Sequence, residues 1–187
     1  MHMAIETKPW ERADLARLPD DGNRYEVLDG ELLVTPQANP VHQRLAAELM
    51  YRLEPYCQRH ALGIVVGPGA VPVGKSELQP DVQVIPCTAA ALRRGWAKLP
   101  RPLLVVEIVS EGSRRFDRGK KRDAYLAWRI ADYWIVDPEE RTVTVARVGR
   151  EDVTVRDEVA WQPMGAEGAA EPLKIDVAGL FRGAMGD

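Results

Sequence analysis

The sequence predicts an α/β domain in which a mixed β-sheet lies between helices. Its segments read in the order hairpin, helix, several strands, helix, strand and hairpin. Residues 103–109 are apolar except for Glu107, which is typical of a strand covered on both faces. Neither a Walker-type loop nor a dinucleotide-binding glycine fingerprint is present, so a doubly wound nucleotide-binding fold is not expected. With 187 residues, the chain is expected to form one domain, residues 1–187, with a sizeable core.

Two helices and a hairpin are predicted in the first sixty residues. Residues 7–19 read as a short helix that a proline ends. Asp29 and Gly30 lie between two apolar runs and suit the positive φ angles of a type I′ turn, so a hairpin is predicted there. A long helix begins at Asn39, whose side chain suits an N-cap, and Pro55 is expected to kink or end it.

After residue 60 the chain is predicted to form short strands, with a helix after the strand at 103–109. We expect this helix to open near Asp117 as its N-cap. Its inward face would carry Lys121, Ala124 and Tyr125, because residues three and four apart share one side of a helix. The other expected segments are strands at 63–66, 70–73, 81–85 and 132–137, a short amphipathic helix with a basic loop at 88–101, a hairpin of 141–148 and 152–156, a loop at 160–172, and a last strand or turn at 173–181.

The composition is that of a soluble globular protein, with 45% hydrophobic and 28% charged residues. No apolar run approaches the length of a membrane span, and the N-terminus lacks the apolar centre of a signal peptide. Cys57 and Cys87 have neither metal-site nor redox-motif spacing, and two cysteines in a chain of this size fit a reducing compartment. We therefore expect a cytoplasmic protein with no membrane partner.

Positive charge is concentrated in one part of an acidic chain. Residues 93–129 contain eleven basic and four acidic residues, a local charge of +7, although the net charge of the whole chain is −3. Such a zone favours contact with a polyanion, and the alternative is a solvated charged loop and helix face. The residues expected to bind nucleic acid are Arg93, Arg94, Arg114, Arg115 and Arg118.

Two acidic residues interrupt segments that otherwise read as buried strands. Asp81 lies in the segment PDVQV, and Glu107 follows 26 residues later. Two strands that bring one carboxylate each to a common point would offer the oxygen ligands that Mg²⁺ prefers. Lys121, on the next helix, could then orient or deprotonate a water molecule or neutralise charge on a phosphate. The alternatives are a turn-forming Asp81 and a buried ion pair of Glu107 with Lys121.

The pattern PD…EIV…K, with the helix DRGKKRDAY and the strand DYWIVDP, resembles the Uma-two endonuclease family of the PD-(D/E)xK nuclease superfamily. The resemblance runs from about Tyr25 to about Val148. It implies a restriction-endonuclease-like core, a mixed central sheet flanked by helices. It also implies that Asp81 and Glu107 bind the metal and that the main-chain carbonyl of Ile108 is a candidate third ligand.

The sequence departs from the superfamily pattern at two places. The superfamily's lysine stands two residues after the second acid, where this chain has Val109. The resemblance implies that Lys121, from the next helix, takes that role. Glu111 and Gly112 stand where relatives usually have Pro-Ser, which adds an acid near the site.

Three further residues are candidates for supporting roles. The resemblance implies that Glu26 lies beside the metal, and the alternative is an exposed strand carboxylate that faces a charge. His42 lies in the first turn of its helix, where a packed or capping histidine is the alternative. Tyr125 lies one helical turn after Lys121.

Together these features predict a nuclease that depends on Mg²⁺ or Mn²⁺ and hydrolyses phosphodiester bonds, with DNA as the expected substrate. In the expected reaction, metal-activated water attacks phosphorus while Asp81 and Glu107 hold the metal and Lys121 assists. The alternatives are a catalytically inactive nucleic-acid-binding or assembly module of the same fold, and a structural protein with a buried ion pair. A homodimer is also expected, because cutting both strands of a duplex needs two sites or two events.

Overall fold

The computed structural model of the protein describes residues 8–163 and 171–186. In chain order its strands are β1 (Arg24–Leu28), β2 (Glu31–Thr35), β3 (Ile64–Val66), β4 (Val71–Val73), β5 (Ser76–Leu78), β6 (Val82–Ile85), β7 (Leu104–Ile108), β8 (Asp132–Asp137), β9 (Thr142–Arg147), β10 (Val153–Val155), β11 (Glu158–Trp161) and β12 (Leu173–Asp176). Its α-helices are α1 (Pro40–Arg59), α2 (Arg114–Phe116), α3 (Arg122–Ala127) and α4 (Val177–Met185). A π-helical turn, Asp117–Lys121, joins α2 to α3, and 3₁₀ turns span Arg12–Arg17, Ala89–Arg94 and Trp96–Lys98. No helix in these two described ranges has the length and apolar character needed to cross a membrane.

The largest sheet is mixed. Its strand order is β10-β9-β8-β7-β6-β3, in which β7 and β8 run parallel and the other neighbouring pairs run antiparallel. The helical segment from α2 to α3 makes the crossover that a parallel pair requires. A mixed sheet with helices packed on both faces confirms the predicted fold class.

Strand β7 lies inside this sheet and is buried on both faces, which accounts for the apolar run in the sequence. On one face, Val106 packs in a core with Leu49 of α1. On the other face, Val105 packs with Tyr125 of α3. Because side chains alternate along a strand, Glu107 lies on the α3 face.

A second sheet is antiparallel, with the order β2-β1-β5-β4. Its β1–β2 hairpin is the one that the sequence predicts, and Asp29 and Gly30 have φ angles of 50° and 87°, as a type I′ turn requires. Leu28 and Leu78 pack in the same core as Tyr125. This sheet therefore covers part of the α3 face of the larger sheet and brings β1 close to β7.

Helix α1 begins as predicted but does not end at Pro55. The Asn39 side chain accepts a hydrogen bond from the N–H of His42 at 2.9 Å and caps the helix. The helix then passes through Pro55 and continues to Arg59. Proline leaves the carbonyl of Tyr51 without its helical donor. Both residues lie on the exposed side of α1, where water can replace that donor while the apolar stripe on the opposite side stays packed.

The helix after β7 begins earlier than predicted, so the assignment of Asp117 as its N-cap is wrong. A turn held by hydrogen bonds between Ser110 and Ser113 starts the helix, and the N–H of Arg114 donates to the Ser110 carbonyl at 2.9 Å. Asp117 lies about one turn further on, inside the π-helical turn, and its side chain is buried. Serines supply the start of this helix, which leaves Asp117 for another role.

Several short elements differ from the sequence-based expectation. Strands β5 and β11 are not among the predicted segments. Each is only three or four residues long, too short to show the alternation of apolar and polar residues that marks a strand. The last strand expected within residues 173–181 is present as β12, but helix α4 follows it and buries Val177, Leu180 and Phe181 at helical spacing. The region 88–101 forms two 3₁₀ turns in place of an amphipathic α-helix. Of the predicted loop at 160–172, residues 160 and 161 belong to β11, and residues 164–170 lie outside the described ranges.

Candidate active site

Asp81 lies at the end of the larger sheet where β6 begins and β7 finishes. Its N–H continues the antiparallel pairing with β7, which brings it opposite Glu107. Its carboxylate accepts hydrogen bonds from the N–H of Ile108 and from Arg24 Nη1, each at 2.7 Å, and His42 Nε2 lies 3.0 Å away. Burial acts to raise the pKa of Asp81, but the hydrogen bonds from His42 and Ile108 and the charge of Arg24 bring it below its ordinary value.

Glu107 is buried on the α3 face of β7, where two side chains from the following helical segment reach it. Lys121 Nζ and the Tyr125 hydroxyl both donate to Oε1 of Glu107, at 3.1 and 3.0 Å. Lys121 and Tyr125 are four residues apart and therefore share one side of the helix. All three side chains are at most 3% exposed. The strand acid and the helix lysine thus meet inside the protein.

Two further carboxylates contact Lys121. Glu26, in β1, places Oε2 2.9 Å from Nζ, and its Oε1 accepts a hydrogen bond from the main-chain N–H of Gln79 at 2.7 Å. Asp117, in the π-helical turn, places Oδ1 3.5 Å from Nζ. One buried ammonium group is therefore shared among three carboxylates, those of Glu26, Glu107 and Asp117.

This cluster contains more acid than base. Burial is the largest cause that raises the pKa of Glu107 well above its ordinary value; nearby carboxylates raise it further, and Lys121 opposes them. The pKa of Asp117 is also raised, mainly by burial. Burial acts to lower the pKa of Lys121, but the carboxylates around it raise it overall, so the side chain is an ammonium. The ionisable members of the cluster that form these ion pairs are the acids Glu26, Asp81, Glu107 and Asp117 and the bases Arg24 and Lys121.

A cleft of ≈ 480 Å³ opens at this end of the sheet. Asp81, Arg24, His42 and Ile108 line it, together with neutral polar residues of the connection between β2 and α1. The other members of the cluster are buried beside these four residues. A ligand that enters the cleft would therefore meet Asp81, Arg24 and His42 first.

The cluster fits a hard divalent cation in donor type and in charge. Asp81 and Glu107 carry the carboxylate oxygens that Mg²⁺ and Mn²⁺ prefer, and the cluster holds four carboxyl groups against two cationic side chains, so a dication could take the place of protons on the acids whose pKa is raised. Four buried polar atoms of the site have no hydrogen-bond partner among the described residues, although the two carboxylate oxygens lie within ion-pair distance of Lys121: Arg24 Nε, Glu26 Oε2, His42 Nδ1 and Asp117 Oδ1. Within the same residues, no group of three or more His, Cys, Asp or Glu side chains is positioned to hold a metal ion. Cation binding would therefore require Asp81 and Glu107 to release some of their present contacts.

The chain matches a protein family over most of its length. The family, Uma2, carries the description "Putative restriction endonuclease", and its sequence model matches residues 12–177. The chain belongs to the Uma2 family. The match includes every residue of the cluster and of the cleft, and it confirms the family that the sequence resembles.

A solved structure of similar fold is that of a "putative nuclease belonging to DUF820" from Anabaena variabilis ATCC 29413. The TM-score is 0.74, and the similarity covers 95% of this chain and 100% of that chain at 17% sequence identity. At this identity the similarity shows the fold. A comparison with curated proteins found no match.

In this Uma2 chain, the residues predicted for catalysis and support lie together. The sequence leaves open that Glu26 is an exposed strand carboxylate and that His42 is a packed or capping histidine. Both side chains contact other members of the cluster directly. The Ile108 main chain contacts the cluster through its N–H, which donates to Asp81. The predicted residues that the structure brings to one place are Asp81, Glu107, Lys121, Glu26, His42, Tyr125 and Ile108.

The five arginines predicted to bind nucleic acid do not gather around the cleft. Arg114 and Arg118 pair with the buried carboxylate of Asp137, the last residue of β8. The other three, Arg93, Arg94 and Arg115, are exposed. No member of this set lines the cleft formed by the described residues.

Two residues of the Uma2 cluster, Asp117 and Arg24, are not among the predicted site residues. Asp117 stands four residues before Lys121, a spacing that places both on one side of a helix, so the sequence contains a usable signal. The π-helical turn that carries them is a feature frequently found at functional sites. Arg24 contacts Asp81, 57 residues away along the chain, and no local pattern marks that pairing.

Proposed function

We propose that this Uma2 protein is a Mg²⁺- or Mn²⁺-dependent nuclease that hydrolyses phosphodiester bonds in DNA. The observation that carries the proposal is the buried set of Asp81, Glu107 and Lys121 beside a cleft that Arg24 and His42 also line. Burying more carboxylates than cations costs stability, and folding alone does not require it. Such an arrangement is expected where the charge serves a ligand or a reaction.

The side chains of the cluster have distinct roles in this proposal. Lys121 supplies a fixed positive charge that stabilises negative charge developing on the phosphate, and its raised pKa suits this role better than that of a base. Tyr125 and Glu26 hold Glu107 and Lys121 in orientation through their hydrogen bond and ion pair. Arg24 is the member of the cluster that lines the cleft with a positive charge, and it contacts the phosphate.

The reaction is the attack of water on a phosphodiester. The water oxygen bonds to phosphorus and releases a proton to solvent, the bond from phosphorus to the leaving sugar oxygen breaks, and that oxygen takes up a proton from solvent. Asp81, Glu107 and the main-chain carbonyl of Ile108 are the groups that would hold the divalent cation, which when bound supplies Lewis acidity and lowers the pKa of water.

Nicking of supercoiled plasmid by the purified protein tests this proposal. We expect relaxed and linear products with Mg²⁺ or Mn²⁺ and intact plasmid in EDTA. Glu107→Gln and Lys121→Met should each cleave about a hundredfold more slowly or worse, the usual effect of losing one electrostatic or acid–base contributor. Lys120→Met removes a neighbouring exposed ammonium that pairs with Glu31 and should cleave like the wild type. Plasmid and a single-stranded oligonucleotide that both stay intact at every metal concentration would refute the proposal.

A nucleic-acid-binding or assembly module without turnover is the second candidate. The observation that favours it is that Asp81 and Glu107 are each 1% exposed and already have protein partners. Calorimetry with Mn²⁺ separates the two candidates. A protein that binds DNA but neither binds Mn²⁺ nor nicks plasmid would be such a module.

The proposal includes a homodimer that acts in the cytoplasm. A dimer with twofold symmetry would present two cleavage sites to the two strands of a duplex. The free cysteines Cys57 and Cys87 suit a reducing compartment.

A further inference from the structure

Two parts of the basic zone at residues 93–129 differ in their ion-pair partners. Arg114 and Arg118 pair with Asp137, and Arg114 also pairs with Glu139. By contrast, the segment 88–102, here called the basic arm, contains no acidic residue. Its four basic residues are exposed, and none of them forms an ion pair within residues 8–163 and 171–186: Arg93, Arg94, Lys98 and Arg101.

A tryptophan stands in the middle of the basic arm. Gly95, with a φ of 77°, separates the two 3₁₀ turns of the arm, and Trp96 begins the second. The outer edge of the Trp96 indole packs against Gly69, where a Cβ atom would lie 2.2 Å from two ring carbons. Gly69 therefore leaves room for the outer carbons of the ring, and Trp96 as a whole residue remains 37% exposed.

Trp96 lines two grooves, one on either side of Gly69 along the chain. The first, of ≈ 380 Å³, is bounded by residues 66–68, and the second, of ≈ 350 Å³, by residues 70–74. Pro68 lines both the first groove and the cleft beside Asp81. The first groove therefore adjoins the cleft of the candidate active site at Pro68.

We propose that Trp96 is a stacking platform for an unpaired nucleobase and that the basic arm binds the phosphates of the same strand. This inference rests on the proposed function, because it assigns the substrate class of that site: single-stranded or locally unpaired DNA. An aromatic side chain can stack on a base only if the face of that base is free, and bases inside a duplex stack on one another. Exposed cations around an exposed aromatic ring are the combination that single-strand-binding surfaces use.

Charge decides between this occupant and a protein partner. A second copy of the chain or an apolar peptide could fill grooves lined by Leu92, Leu99 and Trp96. An apolar peptide would leave four cations without counter-charges at the rim, and a twofold contact between two copies would bring a second basic arm to the first, whereas a nucleic acid strand supplies one phosphate per nucleotide. The lack of acidic residues in the arm therefore favours the polyanion.

Anisotropy of a labelled single-stranded oligonucleotide, and of the same strand annealed to its complement, tests this inference with the full-length protein in EDTA. Trp96→Leu keeps an apolar side chain in contact with Gly69 and removes the aromatic face. We expect it to raise the Kd for the single strand between about fivefold and about 150-fold, the range for one stacked base, and to leave the Kd for the duplex nearly unchanged. Trp96→Phe should retain most of the single-strand affinity.

The matched control is Trp10→Leu, because Trp10 is 38% exposed but lies outside the basic arm. It should bind both oligonucleotides like the wild type. Tryptophan fluorescence gives a second readout: the single strand should quench the wild type and Trp10→Phe, and the quenching should be absent in Trp96→Phe. If Trp96→Leu does not fold, this comparison of fluorescence quenching tests the inference on its own.

Equal affinity of the wild type and Trp96→Leu for the single strand would overturn the inference, and so would an equal decrease in affinity for both oligonucleotides. A light-scattering shift to dimer that Trp96→Leu abolishes would overturn it in favour of a second copy of the chain. These results are distinct from failure of the proposed function. If the protein were no nuclease, plasmid would stay intact while the binding difference in EDTA remained.

Discussion

Replacing Lys121 by methionine tests how the buried cluster is held together. The change removes an ammonium group that lies 2.9, 3.1 and 3.5 Å from oxygens of Glu26, Glu107 and Asp117, and it keeps most of the apolar stem. Breaking a buried ion pair by removing one partner costs about 3–5 kcal/mol. Because Lys121 serves three carboxylates, we expect the upper part of this range, about 4–5 kcal/mol. For a chain of this size that corresponds to a fall in Tm of roughly 8–20 °C.

The loss of stability should depend on pH in a definite direction. Burial already raises the pKa of Glu107 well above its ordinary 4.5, and removing Lys121 removes the charge that opposes this rise. An acid whose pKa is higher in the folded state destabilises the fold as pH rises above its unfolded value. The difference between Lys121→Met and the wild type should therefore be small near about pH 4 and should grow toward neutral pH.

Urea denaturation in EDTA measures this difference, because a bound cation would partly replace the missing ammonium. Lys120→Met is the matched control: Lys120 and its partner Glu31 are both exposed, and a surface pair contributes about 0–1 kcal/mol. The double variant Lys121→Met/Glu107→Gln should recover part of the stability, since it removes one uncompensated carboxylate. If Lys121→Met were as stable as Lys120→Met in EDTA at neutral pH, the idea that this ammonium holds the cluster would be refuted.

Three other predictions follow from the same structure. In calorimetry, Asp81→Asn and Glu107→Gln should each greatly weaken Mn²⁺ binding, and unchanged binding in both would exclude a site there. Salt dependence is measured as the slope of the logarithm of the single-strand binding constant against the logarithm of the salt concentration. Replacing the cations of the basic arm by serine should reduce the magnitude of this slope by about 0.7 for each phosphate that is no longer neutralised, whereas Arg114→Ser and Arg118→Ser should leave it unchanged. An equal reduction of the slope in the basic-arm variants and in the Arg114 and Arg118 variants would contradict the distinction between unpaired and paired cations. Light scattering at micromolar concentration should give a dimer mass, and a monomer mass with and without DNA would exclude the homodimer.

Much of the fold is predictable because its strongest signals are local. The Asp29-Gly30 pair fixes the β1–β2 turn through backbone sterics, and the continuous apolar run of β7 indicates a strand between two packed layers. Pro55 shows the limit of such local rules. Its missing N–H matters little where the unpaired carbonyl faces water and the opposite side of the helix is packed.

The candidate site is predictable in part for the same reason. Glu107 is conspicuous as a charge in an apolar strand, and Lys121 shares an inward helix face with Tyr125. Arg24 reaches Asp81 only because the second sheet packs on the first, and this contact depends on the whole tertiary structure. Aspartate is a good N-cap, so local rules place Asp117 at the helix start, but the serine turn before it already satisfies that need.

Counting charges along the sequence overstates how much of the basic zone can bind DNA. Asp137 is fully buried; it accepts main-chain N–H groups from the turn after β8 and pairs with Arg114 and Arg118. Those two arginines fix the helix of Lys121 to the central sheet, so their charge serves the architecture of the site. The basic arm has no such acid, and its charge remains available to a ligand. Arginines near one another in sequence can therefore differ in role, and the position of the nearest buried carboxylate decides which role each one has.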